Sequence, residues 1–266
     1  MEVLVIIGYI SALLIGISLG LIGGGGSILT VPVLVYLIGE DPVTATAYSL
    51  FIVGASSLVG TGTYFKKGLV NVKTAVIFGI PSIIAVYSTR KFLVPAIPDE
   101  LFTMGSFVFT KDIGIMVLFA VLMIAASISM IRGRKEPEGD MPEEQKFNIP
   151  LILLEGALVG TLTGLVGAGG GFLIIPALVV LSKLPMKQAV GTSLLIIAAK
   201  SLIGFTGDMS NMDVNWPFLL VFTSISIGGI FVGSALSNKI SGAKLKPAFG
   251  WFVLVMGVYI LGRSLI

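Results

Sequence analysis

The chain has no cysteine and no histidine in its 266 residues. These absences remove disulfides, catalytic thiolates, iron–sulfur and haem ligation, and the usual zinc sites. Charged residues are also scarce, at 12% of the chain, below about half of the share in an ordinary soluble domain. We therefore expect no cofactor, no metal, and no redox enzyme or metalloenzyme.

Apolar residues take the place of charge. They form 55% of the chain, and the mean hydropathy is +1.04. Apolar runs of roughly 20 residues, the length that crosses a hydrocarbon core, recur between short polar connections. The sequence thus predicts an all-α polytopic membrane protein in the lipid bilayer, with no separate soluble domain. The net charge of +3 mostly reflects loop residues that orient the chain, so nucleic acid is not an expected partner.

The sequence repeats itself around glycine. The segment GLIGGGGSILTVP, from Gly20 to Pro32, returns from Gly164 to Pro176 as GLVGAGGGFLIIP, 144 positions later. The displacement holds without a gap for Ser49 and Ser193, Ser57 and Ser201, Gly60 and Gly204, and Asn71 and Asn215. Such a duplication, with glycine-broken apolar segments at matching places, is typical of secondary transporters that bind substrate between two repeats.

We predict two transmembrane repeats, 1–131 and 149–266, joined by a charged cytoplasmic linker at 132–148. Each repeat has an apolar segment ending in the glycine run, a short apolar segment, and three longer spanning helices. The predicted segments are 3–22, 27–38, 43–65, 74–94 and 113–131, then 149–166, 171–182, 188–206, 216–237 and 247–265. The start, Met1-Glu2, lacks the basic region of a cleaved signal peptide, so the first segment is kept as structure.

The short segments at 27–38 and 171–182 cannot cross a bilayer. Twelve residues cover about 18 Å of a core about 30 Å thick. We expect half-helices that begin inside the membrane, each forming a glycine-broken hairpin with the segment before it. The alternative is that the glycines serve close helix packing. Four consecutive glycines argue against an unbroken helix, because each costs about 1 kcal/mol there.

Loop charge indicates that the two repeats have inverted topology. Basic residues occupy the connection at 66–73 but not its counterpart at 208–213, and they occupy 183–187 but not its counterpart at 40–41. Under the positive-inside rule the cytoplasmic segments are 66–73, 132–148, 183–187 and 239–246. Both termini then lie outside the plasma membrane. Arg90, Lys91 and Lys111 fall on an outer loop and fit this arrangement less well.

A helix that begins inside the membrane directs free N–H groups and the positive end of its dipole into the protein, where they attract an anion. Glycine also lets a ligand approach the backbone. If the repeats meet about a pseudo-two-fold axis, donors from both converge on one small anionic substrate. The candidate donors are Gly24, Gly25, Gly26 and Ser27 in the first repeat and Ala168, Gly169, Gly170 and Gly171 in the second.

Two charged residues lie within apolar segments. Lys200 is set well inside its run, where a charge faces a cavity or a partner by default, so we predict that it balances the charge of the anion. Snorkelling to the interface is the alternative. Glu155 is predicted to pair with Lys200 or to carry a coupling proton, with an interfacial carboxylate as the alternative.

Ser49 and Ser193 are predicted to line the site, because they lie a few turns into the helices that follow the half-helices. Serines in membrane helices often bond only the backbone of the preceding turn. Asn71 and Asn215, near loops, are predicted to be helix caps.

The duplicated glycine segments, each followed by a helix that carries Ser49-Leu50 or Ser193-Leu194, resemble the TauE/SafE family of sulfite exporter-like membrane permeases. The resemblance covers essentially the whole chain, including the lysine after Thr-Ser-Leu-Leu. It implies transport of a small sulfur-containing anion such as sulfite, sulfoacetate or thiosulfate across a prokaryotic cytoplasmic membrane. One departure is the four-glycine run from Gly23 to Gly26, with Gly24 where the second repeat has Ala168.

The function that the sequence favours is secondary transport by alternating access. An anion channel and transport of a non-sulfur carboxylate stay open, as do the coupling ion and a homo-oligomeric state. An intramembrane enzyme or an assembly subunit is less expected, because the chain offers no nucleophile–base pair, metal cluster or P-loop lysine.

Overall fold

The computed structural model describes residues 2–104, 107–131, 149–180, 184–237 and 242–265. The first half of the protein is built from five helical segments. Two of the five segments change pitch along their length. Helix α2 consists of a 3-10 turn (Gly24–Leu29), an α-helical turn (Thr30–Val33) and a π turn (Leu34–Ile38). Helix α4 consists of an α-helix (Val72–Ser88), a π turn (Thr89–Leu93) and a final α-helical turn (Val94–Ala96). The others are α1 (Glu2–Ile22), α3 (Pro42–Lys66) and α5 (Lys111–Ile131).

The second half has five helices in the same order, with the same short second member. They are α6 (Ile149–Val166), α7 (Gly171–Val180), α8 (Met186–Asp208), α9 (Trp216–Leu236) and α10 (Gly242–Leu265). All ten predicted segments are confirmed as helical within the described residues, with ends that differ by a few positions. The predicted linker at 132–148 and Lys183 lie outside the described residues.

Length and surface composition make this a multi-pass membrane protein. Five helices are long and apolar enough to cross a bilayer: Pro42–Lys66, Val72–Ala96, Lys111–Ile128, Lys187–Asp208 and Trp216–Leu236. In α10 the apolar part is Gly250–Ser264. Large apolar side chains cover the outside of the bundle, among them Ile10, Leu14, Ile84, Phe231 and Val255. Many hydroxyl side chains are buried instead, which is the distribution expected of a protein surrounded by lipid.

The predicted caps are confirmed. The side chain of Asn71 accepts a hydrogen bond from Thr74 N at 2.9 Å, and that of Asn215 accepts one from Phe218 N at 3.3 Å. The backbone N–H groups of both asparagines bond to the other half of the chain. Asn71 N donates to Thr192 Oγ1 at 2.9 Å, and Asn215 N donates to the hydroxyl of Tyr48 at 2.8 Å. Tyr48 and Thr192 are themselves 144 positions apart, so the two bonds are equivalent.

The first helix of each half packs along the fourth helix of the other half. α1 lies on α9 with the backbones in contact, because a Cβ on Gly16 would collide with the carbonyl of Ser226. α6 lies on α4 in the same way, because a Cβ on Gly160 would collide with the carbonyl of Ser82. Gly16 and Ser226 are each 144 positions from Gly160 and Ser82. Close packing, the alternative use of glycine, therefore applies to the glycines within α1 and α6.

The third helices of the two halves, α3 and α8, lie side by side and are the most buried of the spanning helices. They run antiparallel. A Cβ on Gly54 of α3 would lie 2.9 Å from the side chain of Leu202, while one on Gly60, further along α3, would lie 3.5 Å from Leu194, earlier in α8. The fifth helices, α5 and α10, also pair with each other.

A short β-hairpin between α4 and α5 was not predicted. Strand β1 (Glu100–Met104) pairs antiparallel with β2 (Phe107–Thr110), and the facing rings of Phe102 and Phe109 stack with centroids 4.8 Å apart. The sequence signal was present: aromatic and β-branched residues flank the Gly105-Ser106 dipeptide, which is a typical turn sequence. An adjacent ion pair joins Lys111 Nζ to Asp99 Oδ1 at 3.2 Å, so Lys111 has a local partner.

Candidate functional site

The two glycine runs meet where α2 and α7 begin. α7 contacts the 3-10 turn of α2, and a Cβ on Gly169 would lie 3.2 Å from the Cβ of Ser27. The same Cβ would lie 2.6 Å from Val53 of α3 and 3.4 Å from Ile197 of α8. The fold thus brings one candidate donor from each run together, against both central helices.

In the first run the helix breaks at a single glycine. Gly23 has φ 73° and ψ −131°, a combination that is essentially restricted to glycine. The 3-10 turn already begins at Gly24, three residues before the predicted start at Ser27, because a tighter turn is common at helix N-termini. The first amides of this turn, at Gly24 and Gly25, have no acceptor within the turn itself.

In the second run the break is longer, and α7 begins at Gly171 as predicted. Positive φ angles occur at Gly167, Gly169 and Gly170. The amide of Gly167 donates to Thr163 O at 2.9 Å and that of Gly170 to Ala168 O at 2.6 Å. The amides between them, at Ala168 and Gly169, donate to no backbone carbonyl among the described residues.

Each glycine run rests on the third helix of the other half. A Cβ on Gly23 would lie 2.8 Å from Val190 Cγ1 and 3.4 Å from the hydroxyl of Ser193, both on α8. A Cβ on Gly167 would collide with Thr46 of α3. Val190 and Thr46 are equivalent positions, so the two glycine runs make equivalent contacts with the other half. A side chain at Gly167 would collide with the backbone of Thr46 and displace α3.

Lys200 is completely buried, and its ammonium group lies at the second glycine run. Nζ donates to Thr163 Oγ1 at 2.7 Å and would lie 2.6 Å from a Cβ on Gly170. Among the described residues no carboxylate lies within ion-pair distance of this nitrogen. The structure therefore does not support snorkelling, since the cation points into the protein without a counter-ion.

The two serines that were predicted to line the site differ in their hydrogen bonding. Ser193 donates to Val190 O at 2.8 Å, which is the backbone role that serines often have in membrane helices. The hydroxyl of Ser49 is buried with no hydrogen-bond partner. Ser57 and Ser201, at equivalent positions of the two repeats, also have unpartnered buried hydroxyls. Polar atoms buried without partners are rare in proteins, and they are available to a polar ligand.

Glu155 lies on α6, eight residues before Thr163, and does not reach Lys200. Its Oε2 atom is buried without a hydrogen-bond partner. The neighbouring Gly156 packs directly on Phe78 and Pro81 of α4. The predicted pairing with Lys200 is therefore absent from this structure, and the other interpretations of Glu155 stay as predictions.

The buried ion pair of Arg90 and Asp208 was not predicted from the sequence. Loop charge predicted that Arg90 lies on an outer loop, whereas the structure places it in the π turn of α4 with no exposed surface. Its Nε atom lies 2.6 Å from Asp208 Oδ2, at the end of α8. This pairing explains why Arg90 fits poorly as a loop charge. The only sequence signal was that basic Arg90 and acidic Asp208 each lie near the end of an apolar segment.

Backbone amides and one ammonium group lie at the second glycine run. Among the described residues no group of three acidic side chains could hold a metal ion. Backbone amides and an ammonium group are both hydrogen-bond donors. The predicted site residues are Gly24, Gly25, Gly26, Ser27, Ser49, Ala168, Gly169, Gly170, Gly171, Ser193 and Lys200.

Comparison with known proteins identifies relatives over nearly the whole chain. A family model described as "Sulfite exporter TauE/SafE" matches residues 9–260. A "Probable membrane transporter protein" from Xylella fastidiosa (strain Temecula1) is 30% identical over 262 residues, which cover 94% of this chain and 92% of the relative. The "Probable membrane transporter protein YunE" of Bacillus subtilis is 30% identical over 281 residues, covering 97% and 96% of the two chains. No solved structure matches the chain.

Proposed function

This chain belongs to the sulfite exporter TauE/SafE family of membrane permeases, and we propose that it is a secondary transporter of a small sulfur-containing anion. Sulfite, an organosulfonate or thiosulfate are the substrates of that class. The observation that carries the proposal is Lys200, a fully buried cation without a carboxylate partner among the described residues. A cation buried in a membrane protein is costly unless a partner or a cavity compensates it, and a bound anion would do so.

The oxygens of the anion would be held by hydrogen bonds from both glycine runs. The amides of Ala168 and Gly169, together with the start of α2 beside Ser27, would replace part of its hydration shell. The positive ends of α2 and α7 add a favourable dipole. Only the second repeat supplies a cation at this position. The residue equivalent to Lys200 in the first repeat is Ser56, whose hydroxyl bonds to Ser226 Oγ at 3.1 Å. One anion would therefore bind asymmetrically between two similar half-sites.

Inverted repeats would provide a route for alternating access. Equivalent helices, α3 with α8, lie antiparallel, and each first helix packs on the fourth helix of the other half. This arrangement supports inverted repeats related by a pseudo-two-fold axis in the membrane plane. Rocking one repeat bundle against the other would expose the site at the glycine runs to each side in turn. In the topology that the loop lysines favour, the protein lies in the bacterial inner membrane with both termini outside.

Two alternatives remain within transport: an anion channel, and a transporter of a non-sulfur carboxylate. A channel would give flux that does not saturate with substrate, whereas alternating access saturates and responds to a coupling gradient. A carboxylate substrate would stabilise the protein where sulfur oxyanions do not. An assembly subunit would purify intact and bind no anion.

The proposal is tested with purified protein. A thermal-shift series with sulfite, sulfate, thiosulfate, sulfoacetate and simple carboxylates comes first, because a ligand that binds only the native state raises its melting temperature. Proteoliposomes should then take up labelled sulfite or the best of the other sulfur anions in a saturable manner. Stabilisation by carboxylates alone, or flux that rises linearly with concentration, would contradict the proposal.

A further inference from the structure

The ion pair of Arg90 and Asp208 is used by no step of the proposed transport, yet it joins four helices. The guanidinium donates from Nε to Asp208 of α8, and from Nη1 to Thr46 Oγ1 of α3 at 3.0 Å. A second Nη1 bond at 3.1 Å reaches the carbonyl of Gly164 on α6, and Nη2 lies 3.5 Å from Val43 O. Arg90 itself belongs to α4. One side chain thus ties both repeats together.

This cluster adjoins the candidate site. Gly164, whose carbonyl accepts from Arg90, follows Thr163, whose hydroxyl accepts from Lys200 Nζ. Thr46, which also accepts from Arg90, lies against Gly167 of the second glycine run. A movement that separates α4 from α6 and α8 would therefore break the Arg90 contacts and open a path to Lys200.

The equivalent place in the other half has no charge. Asp208 corresponds to Tyr64 and Arg90 to Ser234, at a displacement of 144 positions. The Tyr64 hydroxyl donates to the carbonyl of Gly20 at 3.2 Å, and Gly20 is the equivalent of Gly164. Ser234 bonds instead to Phe231 O within its own helix. The carbonyl before each glycine run is thus held by an ion-paired arginine at one end of the site and by a single neutral hydroxyl at the other.

We propose that the Arg90–Asp208 pair is the gate on the side of the membrane where α8 ends, and that the Tyr64–Gly20 contact is its weaker counterpart on the opposite side. The inference rests on the proposed alternating access. A buried ion pair suits this role because separating it in a dry interior leaves two uncompensated charges, which holds the gate closed. Water that enters on opening hydrates both ions and lowers the cost of the open state. Under the proposed topology the charged gate faces outside.

Because the chain has no native cysteine, the gate can be tested by labelling a single introduced one. Ser49→Cys places a thiol one helical turn from Thr46, at a position that is buried here. A membrane-impermeant maleimide is added from one side at a time to oriented proteoliposomes. Asp208→Asn and the double variant Arg90→Gln, Asp208→Asn should raise the labelling rate at least about tenfold from the side where α8 ends, because the open population grows. The matched control, Tyr64→Phe in the same background, should not raise labelling from that side.

The double variant leaves no unpaired buried charge, which reduces the risk of misfolding. Arg90→Lys is a third variant, and it keeps a cation at this position. Monodispersity and melting temperature are checked for each. Unchanged labelling in a folded variant, an equal rise from both sides, or failure of all three forms to fold would overturn the gate. Labelling needs no substrate. Sulfite transport is measured separately with the wild-type protein, because Ser49 belongs to the predicted site. If the wild type does not transport sulfite while labelling still responds to the gate variants, the substrate proposal fails and the gate stands.

Discussion

The ammonium nitrogen of Lys200 lies 2.7 Å from the hydroxyl oxygen of Thr163, which stands 37 positions earlier on another helix. A hydroxyl is a neutral acceptor and leaves the charge of a buried ammonium uncompensated. Gly170 of the second glycine run lies directly beside this contact, since a Cβ on it would lie 2.6 Å from Lys200 Nζ. A small anion placed there would meet a charge and several N–H donors at once.

Replacing Lys200 by glutamine should abolish most of the sulfite affinity. Losing a charge-assisted hydrogen bond costs roughly 1.5–3 kcal/mol, which corresponds to an affinity loss of about 10- to 150-fold. The measurement is the sulfite-dependent shift in melting temperature. Lys187→Gln, which removes the same charge from an exposed lysine at the start of α8, is the control and should bind like the wild type. Equal binding by the Lys200 variant would remove this residue from the site.

A methyl group at Gly170 should disrupt the site by sterics. Its Cβ would lie 2.6 Å from Lys200 Nζ and would also collide with the methyl group of Thr163. Gly68→Ala is a close control, because Gly68 has a similar φ of 68° but open space around it. Both variants should lose about 1–2 kcal/mol of stability from backbone strain, but only Gly170→Ala should lose sulfite binding in the thermal-shift assay. Loss of binding in both variants would assign the effect to strain alone.

Removing the hydroxyl of Ser49 should separate ligand binding from stability. A buried hydroxyl without a partner costs about 1–3 kcal/mol, so Ser49→Ala should raise the melting temperature of the ligand-free protein. The same change should weaken sulfite binding about fivefold if this hydroxyl donates to the anion. Ser127→Ala is the control, because the buried hydroxyl of Ser127 already bonds Ile124 O. This variant should neither raise the melting temperature nor weaken sulfite binding. Unchanged binding with raised stability would leave Ser49 outside the site.

Replacing Glu155 by glutamine should uncouple transport from a proton gradient. The buried, unpartnered Oε2 atom can hold a proton, whereas the amide of glutamine cannot take one up. Labelled-sulfite uptake into proteoliposomes is compared with and without an imposed pH difference. Wild-type uptake should respond to the gradient, and uptake by the variant should not. If the response persists at full size in the variant, Glu155 is an interfacial carboxylate and the coupling group lies elsewhere.

Tyr48→Phe should destabilise the contact between the two halves. The change leaves the backbone N–H of Asn215 without its acceptor, at a cost of about 1–3 kcal/mol. Thermal unfolding in detergent gives the measurement. Tyr259→Phe removes the same hydroxyl at a half-exposed ring and should have little effect. Equal stability of the two variants would mean that water takes over the Asn215 bond.

Much of the helical framework was predictable because its signals are local. Apolar run length defined the ten segments, and the cost of consecutive glycines predicted the breaks before α2 and α7. Asn71 and Asn215 were recognisable as caps from their place beside loops. The start of α2 was missed by three residues, since a 3-10 turn and a non-helical glycine run look alike in sequence. The β-hairpin was missed because its strands are short and follow a long helix.

By itself, the sequence determined an all-helical membrane protein with two copies of a glycine-broken motif and one lysine deep in an apolar run. Only the tertiary structure decided what those residues meet. Arg90 pairs with Asp208, which is 118 positions away, Lys200 donates a hydrogen bond to Thr163, and Ser27 lies beside Gly169. Hydropathy and backbone propensity depend on a residue and its near neighbours, whereas the partner of a buried charge depends on which helix faces pack together.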